Sequence, residues 1–307
     1  MGTARWSPED WDIYASAIAR KSASEIFKSS SIQKDLDPRG IKFRESLDSD
    51  FNPCSTPIIV AIDNTGSMGV LAEDLIRNGL GVLIEEIYDR RPVSDPQVMC
   101  MAVGDAWFDR AALQVTQFEA DIRLADQLSK FWIEGGGGGN HFESYNLPWY
   151  FAATRTKCDA FLKRQKKGYL FTVGDEPPPP MLLAKHAEKI LGDSLQRDLS
   201  TRELLTMASK TWEIFHIMIE QGSYYRGQPA ETKRSWQNLL GQSAIPLSDH
   251  TKLAELVVSI IEVNEGANAT KVAGSWSGST ALVVKQSLGA MKSPKSPIAS
   301  MSGVTRF

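Results

Sequence analysis

A continuous apolar run, Pro57-Ile58-Ile59-Val60-Ala61-Ile62, passes directly into Asp63-Asn64-Thr65-Gly66-Ser67-Met68-Gly69, and this junction constrains the chain more than any other stretch. A short run that is apolar at every position and rich in β-branched residues reads as a strand buried on both faces. After the polar turn come Leu71, Leu75, Leu80, Leu83, Ile84 and Ile87, a helical spacing that ends at Arg90-Arg91-Pro92. A buried strand, a polar turn and an amphipathic helix open an α/β unit. In open α/β sheets, ligands bind beyond the carboxyl ends of the strands, where this turn would lie.

The turn presents Asp63, Thr65 and Ser67 at alternate positions. Extended backbone sends alternate side chains the same way. Oxygen donors of this kind suit a hard divalent cation, Mg²⁺ or Mn²⁺. The same residue types also cap helices, so Asp63 and Thr65 have a plainer role open to them.

Asp63-x-Thr65-x-Ser67, after an apolar strand and before a long helix, resembles the metal-ion-dependent adhesion site of von Willebrand factor type A domains. Two later stretches extend the resemblance. The run Gly135-Gly136-Gly137-Gly138-Gly139-Asn140 falls where that family has its second metal loop, with Asn140 where most members carry Thr. Gly174-Asp175-Glu176-Pro177, after the apolar run Gly168-Tyr169-Leu170-Phe171-Thr172-Val173, is similar to the third loop. The resemblance covers about residues 55 to 263. It implies an α/β, Rossmann-like fold with a central, mostly parallel sheet flanked by helices on both faces. It also implies a Mg²⁺ (or Mn²⁺) held by Asp63, Thr65, Ser67 and Asn140, with Asp175 holding a metal-bound water. No residue is expected to be catalytic. A protein partner would supply Asp or Glu to the cation. Relatives of the intracellular bacterial or phage type act as cytoplasmic adaptors beside AAA+ ATPases or in multi-protein assemblies.

Two other readings stay open. Asp63-Asn64-Thr65-Gly66-Ser67 also resembles the phosphorylated Asp turn of the haloacid-dehalogenase superfamily, a Mg²⁺-dependent phosphoaspartyl chemistry with Asp63 as nucleophile. Asn64 stands where that motif has Lys, and Pro177 to Pro180 replace its later acidic pattern. Alternatively the chain is a structural assembly protein with a vestigial metal site. Taken alone, the glycine run also fits a flexible linker. His141 reads as a loop residue, Glu143 as a cap for a helix over 147–154, and Asp105 as a turn residue that would neighbour the metal turn if its strand did.

Around this centre the chain divides into residues 1–54, a helix and extended connector; 55–263, the main domain; and 264–307, a tail rich in Ser, Gly and Lys and at best partly ordered. Ser7-Pro8-Glu9-Asp10 is a helix start, and Trp11, Tyr14, Ile18 and Phe27 give that segment an apolar side for the domain or for a partner. The connector over 29–57 reads as a solvated loop whose acids, Asp48 among them, have the metal turn as their alternative neighbour. Further strands are expected at 98–103, 113–118 (alternating, with one wet face), 168–173, 211–219 and, as an edge limited by Pro246, 244–247. His216 reads as a sheet residue. Helices are expected over 181–192, 202–210, 233–240, 253–263 and 279–291. Ser293-Pro294-Lys295-Ser296-Pro297 does not favour a packed helix.

Bulk properties narrow the function classes. A formal charge of −3 over 307 residues leaves no basic footprint for nucleic acid. No stretch reaches the length of apolar sequence needed to span a bilayer, and the first residues lack a signal-peptide core. Cys54, Cys100 and Cys158 follow no metal spacing, so a reduced, cytoplasmic protein is expected.

Overall fold

The computed structural model describes residues 4–136, 139–289 and 291; the side chain of Ser67 lies outside the described part. Six strands form the central sheet: β1 (Thr56–Asp63), β2 (Pro96–Val103), β3 (Leu113–Val115), β4 (Gly168–Gly174), β5 (Trp212–Ile219) and β6 (Ala244–Leu247). Their order is β6-β5-β4-β1-β2-β3, and every neighbouring pair is parallel except β2 and β3. The chain steps outward from β1 to β3, then returns to the other side of β1 for β4. That reversal makes a topological switch point between β1 and β4. The α/β class and the mostly parallel sheet flanked by helices are as the sequence predicts.

The principal helices are α1 (Pro8–Ile18), α2 (Leu80–Arg90), α3 (Asn146–Arg155), α4 (Thr201–Ala208), α5 (Pro229–Leu240), α6 (Leu253–Asn264) and α7 (Gly278–Leu288). All of β1 is buried. Ile58, Val60 and Ile62 enter one core with Leu83, Ile84 and Ile87 of α2 and Leu256, Ile260 and Ile261 of α6. Ile59 and Ala61 enter the other, with Trp149 of α3, Leu204 of α4 and Trp236 of α5. Two covered faces explain why this strand is apolar at successive positions; each such side chain contributes about 1.5–3 kcal/mol on burial. The helix after the polar turn is continuous in the sequence pattern but not in geometry. It runs as Val70–Asp74, a π-helical turn over Leu75–Gly79, and then α2.

Ser7 Oγ accepts from Asp10 N at 3.2 Å and starts α1. Trp11 packs so tightly on α2 that a Cβ at Gly81 would lie 2.3 Å from its Nε1. The domain therefore takes the aromatic side of α1, at the expense of the partner-arm reading. His216 is buried in β5, its ring 3.5 Å from that of Trp236. Past α6, Ala269–Gly274 and α7 place Val272, Ala273, Val284 and Leu288 in the first core. The stretch 293–297 lies outside the described residues.

Two expectations are corrected. The segment 113–118 has no wet face: β3 is three residues long and wholly buried. Gln114 alternates with apolar neighbours because its amide is paired inside, with Nε2 donating to Trp132 O at 3.0 Å and Oε1 accepting from Trp132 N at 2.9 Å. The connector is not simply solvated either. Leu36 is fully buried, its carbonyl accepts from Val115 N, and Arg44–Ser46 pairs in parallel with Thr156–Cys158. Among the described residues no helix is long and apolar enough to cross a membrane, and the three cysteines are free.

Candidate metal centre

Asp63 is the last residue of β1, beside the switch point, and is fully buried. It shares a side of the strand with Ile59 and Ala61, facing the core that holds Tyr145. Its Oδ1 accepts from Thr65 N at 2.8 Å and from Thr65 Oγ1 at 2.6 Å. Its Oδ2 accepts from the Tyr145 hydroxyl at 2.7 Å. The capping reading is thereby corrected. Thr65 occupies the position before the Gly66–Gly69 turn, yet its side chain makes no cap bond and turns back to Asp63. With its proton given to Asp63, the Thr65 oxygen keeps lone pairs free for a ligand. Ser67 sits in that same turn, and its side chain is outside the described part.

Gly136, within the glycine run, belongs to this centre. Gly136 O accepts from Gly66 N at 2.9 Å, joining the two loops. A Cβ at Gly136 would lie 2.1 Å from Asp109 Oδ1, so close approach, and not linker flexibility, requires glycine there. Further on, Asn140 has neither amide atom in a hydrogen bond of standard geometry, though it lies near enough to Asp105 to draw that carboxyl's pKa down. Asp175 follows β4, and its Oδ2 accepts from Tyr224 N at 2.8 Å and Tyr225 N at 3.4 Å, at the opening of a short helix, Ser223–Gly227. The structure thus joins Asp63 to Thr65 directly and places Asp175 close enough to add to the charge burden on Asp63.

Three participants were not recognised in the sequence. Glu143 does not cap α3, which begins at Asn146 without a side-chain cap. It is instead 1 % exposed, with Oε2 unpaired. Glu176 also turns inward with Oε2 unpaired. Tyr145 reaches Asp63 by passing over Gly174, where a Cβ would lie 2.0 Å from its hydroxyl. No periodicity marks an inward acid in a loop; the one available signal was the density of acids following two strands and the glycine run. Asp105 combines both of its expected roles. Its Oδ1 accepts from Trp107 N at 2.8 Å in the turn, while Oδ2 is buried and unpaired within the acid cluster.

The electrostatics follow from burial among like charges. Burial pushes Asp63 up to about 7; Thr65 and Tyr145 hold it down, and Asp175 adds repulsion. Burial, then Asp63, Glu176, Asp105 and Asp109, push Glu143 up to about 11. Burial, then Asp63, Asp175 and Asp105, push Glu176 up to about 8. Asp105 and Asp175 are raised too, again mainly by burial, with Lys189 and Arg226 offsetting only part. Each buried polar atom left unmet costs about 1–3 kcal/mol.

The donor chemistry fits a hard cation. Every candidate donor is oxygen, and the buried acids outweigh the positive charge acting on them. Among the described residues no three His, Cys, Asp or Glu side chains form a metal cage. The fit is therefore to an ion that takes one or two carboxylates and fills its remaining positions with hydroxyl, amide and water oxygens, as Mg²⁺ does.

No protein-family model matches the sequence, and no curated protein does. Solved structures similar to the chain include the open conformation of the pilus adhesin SpaC from Lactobacillus rhamnosus GG, at 10 % identity and a TM-score of 0.47 over 74 % of this chain and 31 % of that one. Proximal thread matrix protein 1 from the mussel byssus aligns at 10 % identity and a TM-score of 0.42, over 68 % and 47 %. A von Willebrand factor type A protein from Catenulispora acidiphila aligns at 14 % identity and a TM-score of 0.39, over 70 % and 44 %. The chain thus spans about a third to a half of the length of each.

Proposed function

We propose that the chain is a von Willebrand A-like protein-interaction module that binds its partner through a divalent cation. Asp63, Thr65, Ser67 and Asn140 would hold Mg²⁺ or Mn²⁺, with Asp175 behind them. The cation supplies an electrostatic anchor for an Asp or Glu of the partner protein. The supporting observation is Asp63 itself: a fully buried carboxylate at the switch point, bonded to Thr65 and crowded by other acids. A doubly charged cation relieves that crowding and turns an unfavourable cluster into a site that attracts a further anion. Trp107 and Phe108, 46 % and 59 % exposed in the loop next to Asp105, offer the partner an apolar footing beside the charge. A cytoplasmic adaptor working with an AAA+ ATPase or a multi-protein assembly is the setting this reading suggests.

The test has two arms. Calorimetry with Mg²⁺ and Mn²⁺ on the full chain should show binding that Asp63→Ala abolishes. Affinity capture in Mg²⁺, in EDTA and with Asp63→Ala should then recover a protein in the first condition alone. A partner retained in all three would place the interface away from this centre.

A further inference from the structure

We infer that Glu143 is a direct ligand of the cation proposed at Asp63, so that the site carries an internal carboxylate competing with the partner's. The inference rests on the metal-binding reading above and deepens it. Glu143 lies in the loop between the glycine run and α3, two residues before Tyr145, whose hydroxyl donates to Asp63 Oδ2 at 2.7 Å, so this loop and the end of β1 converge. It is 1 % exposed and its Oε2 has no hydrogen-bond partner. The largest electrostatic influences on it come from acids, with Asp63 foremost and then Glu176, Asp105 and Asp109. Asp105 Oδ2, Glu176 Oε2 and both amide atoms of Asn140 are also unpaired. These buried oxygens without donors are carried by different loops, and because no three acids among the described residues form a metal cage, Glu143 would join Asp63 as one of two carboxylates on the ion.

The alternative is a protonated Glu143. Protonation would still leave Oε2 without a donor, since no described group donates to it. A cation satisfies Glu143 and the surrounding acceptors together, and the carboxyl proton leaves to solvent as the ion enters.

The consequence separates two affinities that would otherwise move together. Removing the Glu143 charge should weaken the cation while freeing a coordination position for an external carboxylate. Mn²⁺ is the probe. In Glu143→Gln we expect at least tenfold weaker Mn²⁺ binding, one additional water on the bound ion by relaxation measurements, and tighter acetate binding to the Mn²⁺-loaded protein. A folded Glu143→Gln with unchanged Mn²⁺ affinity and hydration overturns the inference. If wild type binds Mn²⁺ and Asp63→Ala abolishes it while Glu143→Gln changes nothing, the metal reading stands and this one falls. If wild type binds no Mn²⁺, both fall. Should Glu143→Gln not fold, Glu143→Asp keeps the charge, shortens the reach and should shift both readouts in the same direction; no shift is again contrary. Wild type made by cell-free synthesis with ¹³C-glutamate gives a direct check. Its Mn²⁺ signal should show a strong ¹³C coupling that persists in Glu176→Gln, and absence of that coupling overturns the inference.

Discussion

At the amino end of β1, Asp48 is surrounded by donors; at the carboxyl end of the same strand, Asp63 is surrounded by acids. Asp48 Oδ1 accepts from Ser55 N at 3.0 Å and Ser55 Oγ at 2.8 Å, and Arg164 reaches both oxygens at 2.7 and 3.1 Å. Burial alone would raise its pKa, but Arg164 and Ser55 hold it well below the usual carboxylate range. Asp63 also accepts three hydrogen bonds, yet among the described residues no such cation pairs with it, and burial carries it up to about 7. Hydrogen bonds alone thus do not settle a buried acid; the sign of its charged neighbours does. The first end uses its acid to fix the connector to the sheet. The second maintains an electrostatic deficit, the condition expected of a binding site and not of a structural contact.

The comparison is most directly broken by neutralising Asp63. A carboxyl with a raised folded pKa carries no penalty below its unfolded value of about 4; the penalty grows as pH rises to about 7 and is constant above that. In EDTA, Asp63→Asn should therefore be more stable than wild type by roughly 2–4 kcal/mol at pH 8, with the gain gone by pH 4. Urea melts at both pH values measure it. Equal stabilities at pH 8 would show that Asp63 bears no such burden.

Arg164→Met should do the reverse at the other end. Asp48 would be left with only the more distant Lys163, 3.4 Å away, at a cost of about 1–3 kcal/mol at pH 7. Because Asp48 is depressed, its contribution is present above about pH 4 and is lost as pH falls below that. The gap to wild type should begin to narrow below about pH 4 and close only well below pH 3, and a stability series from pH 7 to pH 3 would reveal the narrowing. A gap of constant size across that series would assign the loss to packing instead.

Tyr145→Phe sharpens the picture at the site. It removes the donor to Asp63 Oδ2 and should push the Asp63 pKa higher still, costing about 1–2 kcal/mol at pH 8 in EDTA. A loss that is equally large at pH 4 would mean that the hydroxyl serves the core and not the charge. The smallest effect belongs to Ser55→Ala. The Ser55 amide and Arg164 remain to hold Asp48, so about 0.5–1.5 kcal/mol is expected by chemical denaturation. A larger loss would make the hydroxyl, and not the guanidinium, the main partner of Asp48.

Legibility of the chain followed the range of the interactions. β1, β2, β4 and β5 were readable because strands covered on both faces form near-continuous apolar runs. The Asp63-x-Thr65-x-Ser67 turn was readable because the alternation that defines it is local. Gln114 was misread, since a polar residue paired to Trp132 inside the protein looks the same in sequence as one facing water. Glu143 was misread for a related reason. A loop acid just before a helix is ordinarily a cap, and what draws this one inward lies on other strands and loops. The connector's acids also went to the opposite end of the strand from the metal turn, because Arg164, far away in sequence, captures Asp48.

The sequence by itself determined the layered α/β architecture, the polar turn at the end of its central strand and the oxygen chemistry of that turn. Periodicity and residue type act over a few residues, and those features need no more. Only the tertiary structure decided that Tyr145 closes on Asp63 and that Asp175 turns to the Ser223–Gly227 helix. It alone decided that Glu143, Glu176 and Asp105 meet in one acidic cluster. Burial and like-charge repulsion act between residues that neighbour each other only after the chain has folded.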